Sequence, residues 1–271
     1  MSITSVDSYL NSFKQFVSYT KTASRTTVAT GWFSIFDLAG NPGAGTFAGT
    51  STTAGVVPTD ATAGCPTIID FGSGNTGYLT GVDFGCSVAC RLKLFDMLYK
   101  AGAYAYNSGT TTVTSPPSYS SRIPNSNYSG TQIWIEVTTA FVAAATWTVT
   151  VNYTNQDGTA AKTTGSIGSL ANANLTLGRM YMLPLAAGDT GVQKIESVTV
   201  TTGSATAGAF NVLVVRPLWS GRVRIANDGD VHDITKTAMP QIFQDSAIIA
   251  IANADSTTSG VIDMELVIAN G

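Results

Sequence analysis

Histidine and charge are what this chain has least of. Its 271 residues include one histidine, and only 11% are Asp, Glu, Lys or Arg. General acid–base catalysis near neutral pH relies on histidine or on carboxyl groups with a raised pKa. The sequence also has no G-x-S-x-G motif and no Walker motif. We therefore predict that the protein is not an enzyme.

The charge that is present does not favour nucleic acid or membrane as a partner. The net charge is −3, and the nearest approach to a basic stripe is the pair Arg222 and Arg224. Phosphate backbones are bound by concentrated Lys and Arg. No run approaches the roughly 20 apolar residues that a membrane-spanning helix needs. We expect neither kind of partner.

Cysteine is scarce as well, with only Cys65, Cys86 and Cys90. Three cysteines cannot all pair within one chain. If Cys86 to Cys90 is a single strand, those two residues lie roughly 13 Å apart, which is too far for a disulfide. A metal would need a fourth ligand. We predict buried free thiols, no cofactor and folding in a reducing cytoplasm.

The N-terminal segment, residues 1–30, is predicted to be an arm with a short amphipathic helix. Its apolar residues recur at helical spacing, and Thr4 or Ser5 could cap the helix start. The arm could pack on its own domain or dock on a neighbouring subunit, and both alternatives stay open. The residues predicted to dock are Tyr9, Leu10, Phe13, Phe16 and Val17.

The rest of the chain predicts a mainly β fold. Residues 31–76 are rich in Gly, Pro and Thr and indicate extended loops. Residues 77–271 contain short alternating runs separated by turns, which favour an antiparallel β-sandwich of the jelly-roll kind. A tight turn is predicted at Asn155–Thr159 and a short helix within Val231–Gln244. The predicted strands are Tyr78–Phe84, Val88–Asp96, Gln132–Phe141, Trp147–Asn155, Arg179–Leu185, Gln193–Val200, Phe210–Pro217, Ser246–Ile251 and Ile262–Ile268.

Three groups of residues are candidate sites, and each has a structural alternative. Asp228, Asp230 and Asp233 surround the lone histidine and could bind a hard cation, but we favour a solvated loop that caps a helix near Asp233 and predict no metal. The possible interface residues Arg216, Trp219 and Arg222 could instead pack internally. The third group could form a sugar platform or fill the core: Tyr99, Tyr104, Tyr106 and Tyr119.

Several short stretches of the chain form a recognisable set. They are Gly31–Phe33, Ala39–Gly45, Gly55–Ala61, Arg91–Asp96, Tyr153–Gly158, Val215–Trp219 and Gly229–Asp233. Together these stretches resemble a family of virion structural proteins of tailed bacteriophages, encoded near the head genes. The resemblance runs over most of the chain from residue 31 onward.

The resemblance implies a shell component without chemistry of its own that decorates or cements the capsid. Its expected partners are the major capsid protein and neighbouring copies of itself. Closed symmetry is usual for such homo-oligomers, and we expect a trimer. The expected location is the capsid exterior of the virion, after assembly in the host cytoplasm. A tail or fibre position and a host-glycan-binding adhesin are the alternatives.

Overall fold

A computed structural model of the chain describes residues 3, 5–143, 146–167 and 175–271. Strands hold 47% of the chain and helices 6%. The strands pair antiparallel in three sheets, which form a sandwich-like arrangement preceded by a short helix. The predicted mainly β, antiparallel sandwich with a short N-terminal helix is therefore confirmed, while the jelly-roll connectivity and the domain limits at residues 30 and 76 stay predictions.

The elements are numbered here in chain order. The two α-helices are α1 Val6–Leu10 and α2 Ile234–Thr237. Single 3-10 turns occupy Ser120–Arg122 and Pro124–Ser126. The strands are β1 Phe13–Ser18, β2 Thr20–Lys21, β3 Trp32–Ser34, β4 Gly40–Asn41, β5 Gly77–Cys86, β6 Cys90–Ala105, β7 Thr110–Thr112, β8 Gln132–Val142, β9 Thr148–Asn155, β10 Lys162–Thr163, β11 Met180–Leu183, β12 Val192–Thr201, β13 Ala207–Val223, β14 Asp228–His232, β15 Gln241–Ile242, β16 Ile248–Ala254 and β17 Ile262–Asn270.

A central sheet organises the molecule, with strand order β11-β8-β13-β6-β16-β3. Its middle strands, β6 and β13, have 16 and 17 residues and are far longer than the others. Their pairing has register shifts, one of which lies between Pro217 and Trp219. Proline lacks an N–H donor and is tolerated inside a sheet at such bulges.

Two other sheets, one of seven strands and one of four, pack side by side on one face of the central sheet. The first sheet has the order β14-β5-β17-β2-β4, with β1 also paired to β17 and β15 to β5. The third sheet has the order β10-β9-β12-β7. Leu92 and Leu94 of β6 share a core with the first sheet. Further along the same strand, Leu98 and Tyr99 share a core with the third sheet.

The opposite face of the central sheet is covered by the segment that follows β3. Phe36 and Phe47 pack there against Phe95 of β6 and Leu213 of β13. Residues 31–76 therefore cover a core, although they contain only the two short strands β3 and β4. The Gly/Pro/Thr-rich composition predicted the irregular backbone, but it gave no sign of this packing.

The N-terminal helix is shorter than its apolar stripe predicts. Ser5 caps α1 through a reciprocal capping box with Ser8, and the helix ends at Leu10; Thr4 lies outside the described residues. The helical prediction is wrong for Phe13, Phe16 and Val17, which belong to β1. Strand β1 pairs with β17 along its whole length, and these tertiary hydrogen bonds override the local helical pattern.

Each of the nine predicted strands overlaps an observed strand. The predicted turn is present, because the Gly158 N–H donates to the Asn155 carbonyl and joins β9 to β10. The predicted helix within Val231–Gln244 is α2. The segment before α2 is a correction, since Asp228–His232 is a strand paired with β5 and not a loop.

The cysteines are free and buried, as predicted. The distance argument for Cys86 and Cys90 is wrong, however. Cys86 ends β5 and Cys90 begins β6, so a turn brings their side chains within hydrogen-bonding contact. Burial raises the pKa of Cys65 to about 12, and its thiol stays protonated and unreactive near neutral pH.

Candidate functional site

The most exposed apolar side chains of the N-terminal segment form what we call the N-terminal apolar patch: Val6, Leu10, Phe13 and Phe16. Each is more than half exposed. Ile69 is also exposed and lines the same groove as Phe16. Exposed large apolar residues that gather in one region often mark an interaction surface.

The structure separates the predicted docking residues into two groups. Leu10, Phe13 and Phe16 are exposed, whereas Val17 is buried in the core between the first and central sheets. Tyr9 is partly buried, and its ring lies 4.6 Å from the Lys14 ammonium group. Val17 is therefore unavailable to a partner, because β1 turns that side chain inward.

Strand β1 is held in place by its buried glutamine. The Gln15 side chain donates to the Ile69 carbonyl at 3.1 Å and accepts from the Ile69 N–H at 2.9 Å. This pair of hydrogen bonds fixes β1 against the 66–70 segment. Both β1 residues of the patch are exposed on this ordered strand, Phe16 on the solvent face of the first sheet and Phe13 at the start of the strand.

The second predicted group is mostly internal. Arg216 and Trp219 are 8% and 6% exposed, which favours the internal-packing alternative for both. Arg222 is about half exposed and lies 3.7 Å from Asp255. Only Arg222 remains accessible to a partner.

Trp219 and His232 hold β13 and β14 together. The indole N–H donates to His232 Nδ1 at 2.9 Å, and Phe84 packs edge-on against both rings. His232 Nε2 lies 3.3 Å from an Asp230 oxygen. With both ring nitrogens engaged, the lone histidine has a structural role in this arrangement.

The three candidate metal carboxylates are occupied by their own neighbours. Asp228 accepts from the Gly229 N–H. Asp233 caps α2 by accepting from two backbone N–H groups. Hydrogen bonds from the Val231 N–H and from Lys236 lower the pKa of Asp230. No group of three His, Cys, Asp or Glu side chains in the described ranges could hold a metal ion.

The tyrosines that could have formed a sugar platform lie mainly in the core. Tyr99, Tyr104 and Tyr119 are at most 2% exposed, and Tyr106 packs against the same core. The Tyr99 and Tyr104 hydroxyls donate to backbone carbonyls of the 52–54 segment. These rings anchor the loop instead of facing a ligand.

A buried ion cluster, which the sequence did not reveal, lies in the middle of the molecule. Asp96 is fully buried on β6, 3.2 Å from Arg216 and 3.4 Å from Arg122. Ser246 and the Ala247 N–H complete the hydrogen bonds to its carboxylate, at 2.9 and 3.1 Å. The cluster lies between the two cores, since Leu94 belongs to one and Leu98 to the other.

A second buried carboxylate is Glu136 on β8. The Asn211 amide donates to it at 3.2 Å, and the Lys100 ammonium group favours its ionised form. Burial nevertheless dominates and raises the pKa of Glu136 above its ordinary value of 4.5. Lys100 itself donates to the Thr46 carbonyl. The group ties the central sheet to the loop that covers it.

Replacing Glu136 by glutamine should change how stability depends on pH. A carboxyl group with a raised pKa in the folded state binds more protons there than in the unfolded chain. It therefore lowers the free energy of unfolding as pH rises above 4.5, by about 1.4 kcal/mol for each unit of pKa difference. Urea unfolding of E136Q should therefore show a smaller loss of stability than wild type as the pH rises from 4 through the raised folded-state pKa of Glu136.

The exposed Asp157→Asn variant is the control, and it should keep the wild-type pH dependence. An E136Q variant whose stability differs from wild type by the same amount at every pH would contradict the expected role of burial.

Comparisons with known proteins give one partial match. Residues 121–214, about a third of the chain, match the family model described as Bbp16, a phage-related family name. The matched segment runs from the first 3-10 turn to the middle of β13. No curated protein matches the sequence.

Similar solved structures include particles of infectious bursal disease virus. The VP2 subviral particle is 10% identical, with 95% of this chain and 79% of that chain covered, at a TM-score of 0.21. The T=1 particles are 10% identical, with coverages of 95% and 76% and a TM-score of 0.22. Such scores do not establish a shared fold. In the described part of the chain, no helix has the length and apolarity needed to cross a bilayer.

Proposed function

We propose that this protein is a non-enzymatic structural component of a tailed-phage virion that attaches to the outside of the capsid and decorates or cements it. The N-terminal apolar patch carries the proposal. Four large apolar side chains that stay exposed on an ordered strand and its preceding helix are costly to leave in water. A neighbouring capsid subunit would cover them.

Two further observations support the proposal. The low charge of the surface reduces the solvation lost when a neighbour covers it. The Bbp16 match lies over strands of the central and third sheets, and that family name is phage-related. The alternative of a glycan-binding adhesin is weakened, because its candidate residues Trp219, Tyr99 and Tyr104 are buried.

The proposal is tested by binding to capsids that lack this chain. The Phe13→Ser, Phe16→Ser double variant should lose at least about tenfold in affinity for heads. Each ring removed loses about 1.5–3 kcal/mol of the free energy gained by burying apolar surface. The measurement is co-sedimentation of the purified chain with heads. Quantifying the chain in virions and in tailless heads distinguishes a capsid position from a tail position.

The matched control is the Val142→Ser, Met182→Ser double variant, which removes exposed apolar side chains from the central sheet. It should bind heads as the wild type does. Deletion of residues 1–12 tests α1 alone, because it leaves β1 paired with β17. Equal binding by all variants, or no chain in tailless heads, would refute attachment through the patch.

A further inference from the structure

Two surfaces of opposite charge lie on opposite sides of the sandwich. The first is the outer face of the first sheet, where a groove of about 390 Å³ is lined by Asp83, Asp263 and Glu265. Among the described residues that line this groove there is no Lys or Arg. We call it the acidic face.

The alternation of side chains places this acidity on the outside. Val82 and Phe84 of β5 point into the core, so Asp83 between them points away from it. Met264 and Leu266 of β17 also point into the core, so Glu265 between them points away from it. Asp83 and Glu265 are register partners and lie directly opposite each other.

The second surface, the basic ridge, lies on the opposite side of the central sheet. Arg91 of β6 is the register partner of Arg222 on β13. Leu92 and Leu94 point toward the first sheet, so Arg91 and Lys93 point away from it. Together with Trp32, these three basic residues line one groove.

The basic ridge extends along the chain beyond β13. Arg224 and Ile225 follow the strand, and both are exposed. Asp255 lies beside Arg222 and offsets one charge; the ridge remains positive overall. Exposed apolar residues accompany each surface, with Phe16 and Val231 beside the acidic face and Ile225 beside the ridge.

Each surface contains a cross-strand pair of like charge. Directly opposed like charges destabilise a sheet, and this chain has one such pair on each side: Asp83 with Glu265, and Arg91 with Arg222. A partner surface of opposite charge would reduce the repulsion within each pair. Each of the two surfaces of this chain carries the charge that is opposite to the other.

We propose that copies of this chain associate head to tail, with the acidic face of one copy docked on the basic ridge of the next. The inference deepens the proposed self-association of a virion component. Because the two surfaces lie on opposite sides, the interface is heterologous, and the assembly closes into a ring or continues as a chain according to the rotation between copies. The charge-neutral N-terminal apolar patch is not required for it.

The test is a reciprocal charge reversal followed by sedimentation velocity without heads. The acidic-face variant is Asp83→Lys with Glu265→Lys, and the basic-ridge variant is Arg91→Glu with Arg222→Glu. Each alone should weaken self-association at least about tenfold, because like charges would then meet. An equimolar mixture should restore it, since each altered surface then finds its opposite on the other variant.

The control exchanges exposed charges elsewhere, Asp157→Lys with Lys194→Glu, and should associate as wild type does. High salt should weaken wild-type association. If a reversed chain fails to fold, Asp83→Asn with Glu265→Gln replaces the acidic-face variant and should also weaken association. A wild type that stays monomeric at low salt, or a mixture that is not restored, overturns the inference.

The outcomes separate this inference from the proposed function. A wild-type chain that self-associates but does not bind heads, or a Phe13→Ser, Phe16→Ser variant that binds heads as wild type does, would refute attachment through the N-terminal apolar patch alone. Head binding by a chain that never self-associates would refute the head-to-tail contact alone. Charge reversal that affects head binding but not self-association would assign the acidic face to a different, basic partner and would also refute the contact between copies.

Discussion

Replacing Asp96 by alanine should lower the free energy of unfolding by about 3–5 kcal/mol, the cost of breaking a buried ion pair by removing one partner. The variant leaves Arg122 and Arg216 buried without their counter-charge. Ser246 and the Ala247 N–H lose an acceptor as well. Urea unfolding at constant pH, followed by circular dichroism, measures the loss.

The matched control is Asp255→Ala, which breaks the half-exposed pair with Arg222. Surface ion pairs contribute about 0–1 kcal/mol, so this variant should unfold close to wild type. Both measurements should use dilute protein, because Arg222 also belongs to the basic ridge. Similar losses in the two variants would contradict the assigned role of burial.

Replacing Trp147 by alanine should cost about 3–5 kcal/mol as well, the usual penalty for truncating a large buried aromatic side chain. Trp147 is fully buried in the core of the third sheet. Its ring centroid lies 4.6 Å from that of Phe141 and 5.3 Å from that of Phe210. The variant would leave a cavity that two rigid strands cannot close. Thermal and urea unfolding measure the effect.

The partly buried Trp32 provides the comparison for this prediction. Its ring packs beside the Lys93 ammonium group at 4.7 Å and remains in contact with solvent. Trp32→Ala should therefore cost much less than Trp147→Ala. Equal losses would mean that the third-sheet core is more adaptable than its packing indicates.

The long strands show where sequence patterns succeed. Strands β8 and β9 alternate apolar and polar residues, and their limits were predicted within a few residues. The alternation reports directly which face is buried. In contrast, β6 continues well past its predicted end at Asp96, because the pattern breaks where a charged residue is buried in an ion cluster.

The missed elements depend on partners distant in the chain. Strand β1 forms because β17, some 250 residues later, offers it an edge, and nothing local in Phe13–Ser18 indicates that. Strand β14 contains three residues that favour loops, and pairing with β5 overrides them. Short edge strands of this kind gain their stability from the sheet and not from propensity.

The candidate site was predictable only in part. Leu10, Phe13 and Phe16 are exposed, as expected of docking residues. The segment, however, forms a short helix followed by a strand and not one helix. The acidic face and basic ridge could not be foreseen, because Asp83 and Glu265 are adjacent only through strand pairing. The same reason hid the cluster around Asp96, whose two arginines come from distant segments.

Strands β6 and β13 have a mechanical consequence. With 16 and 17 residues, each spans roughly 50 Å at the usual rise per residue, and both pass through the two cores without interruption. A load applied at the end that carries Arg91 and Arg222 is borne by continuous covalent backbone as far as the opposite end. The Asp96 cluster lies near the middle of these two strands, and its ion pairs oppose sliding of one core against the other.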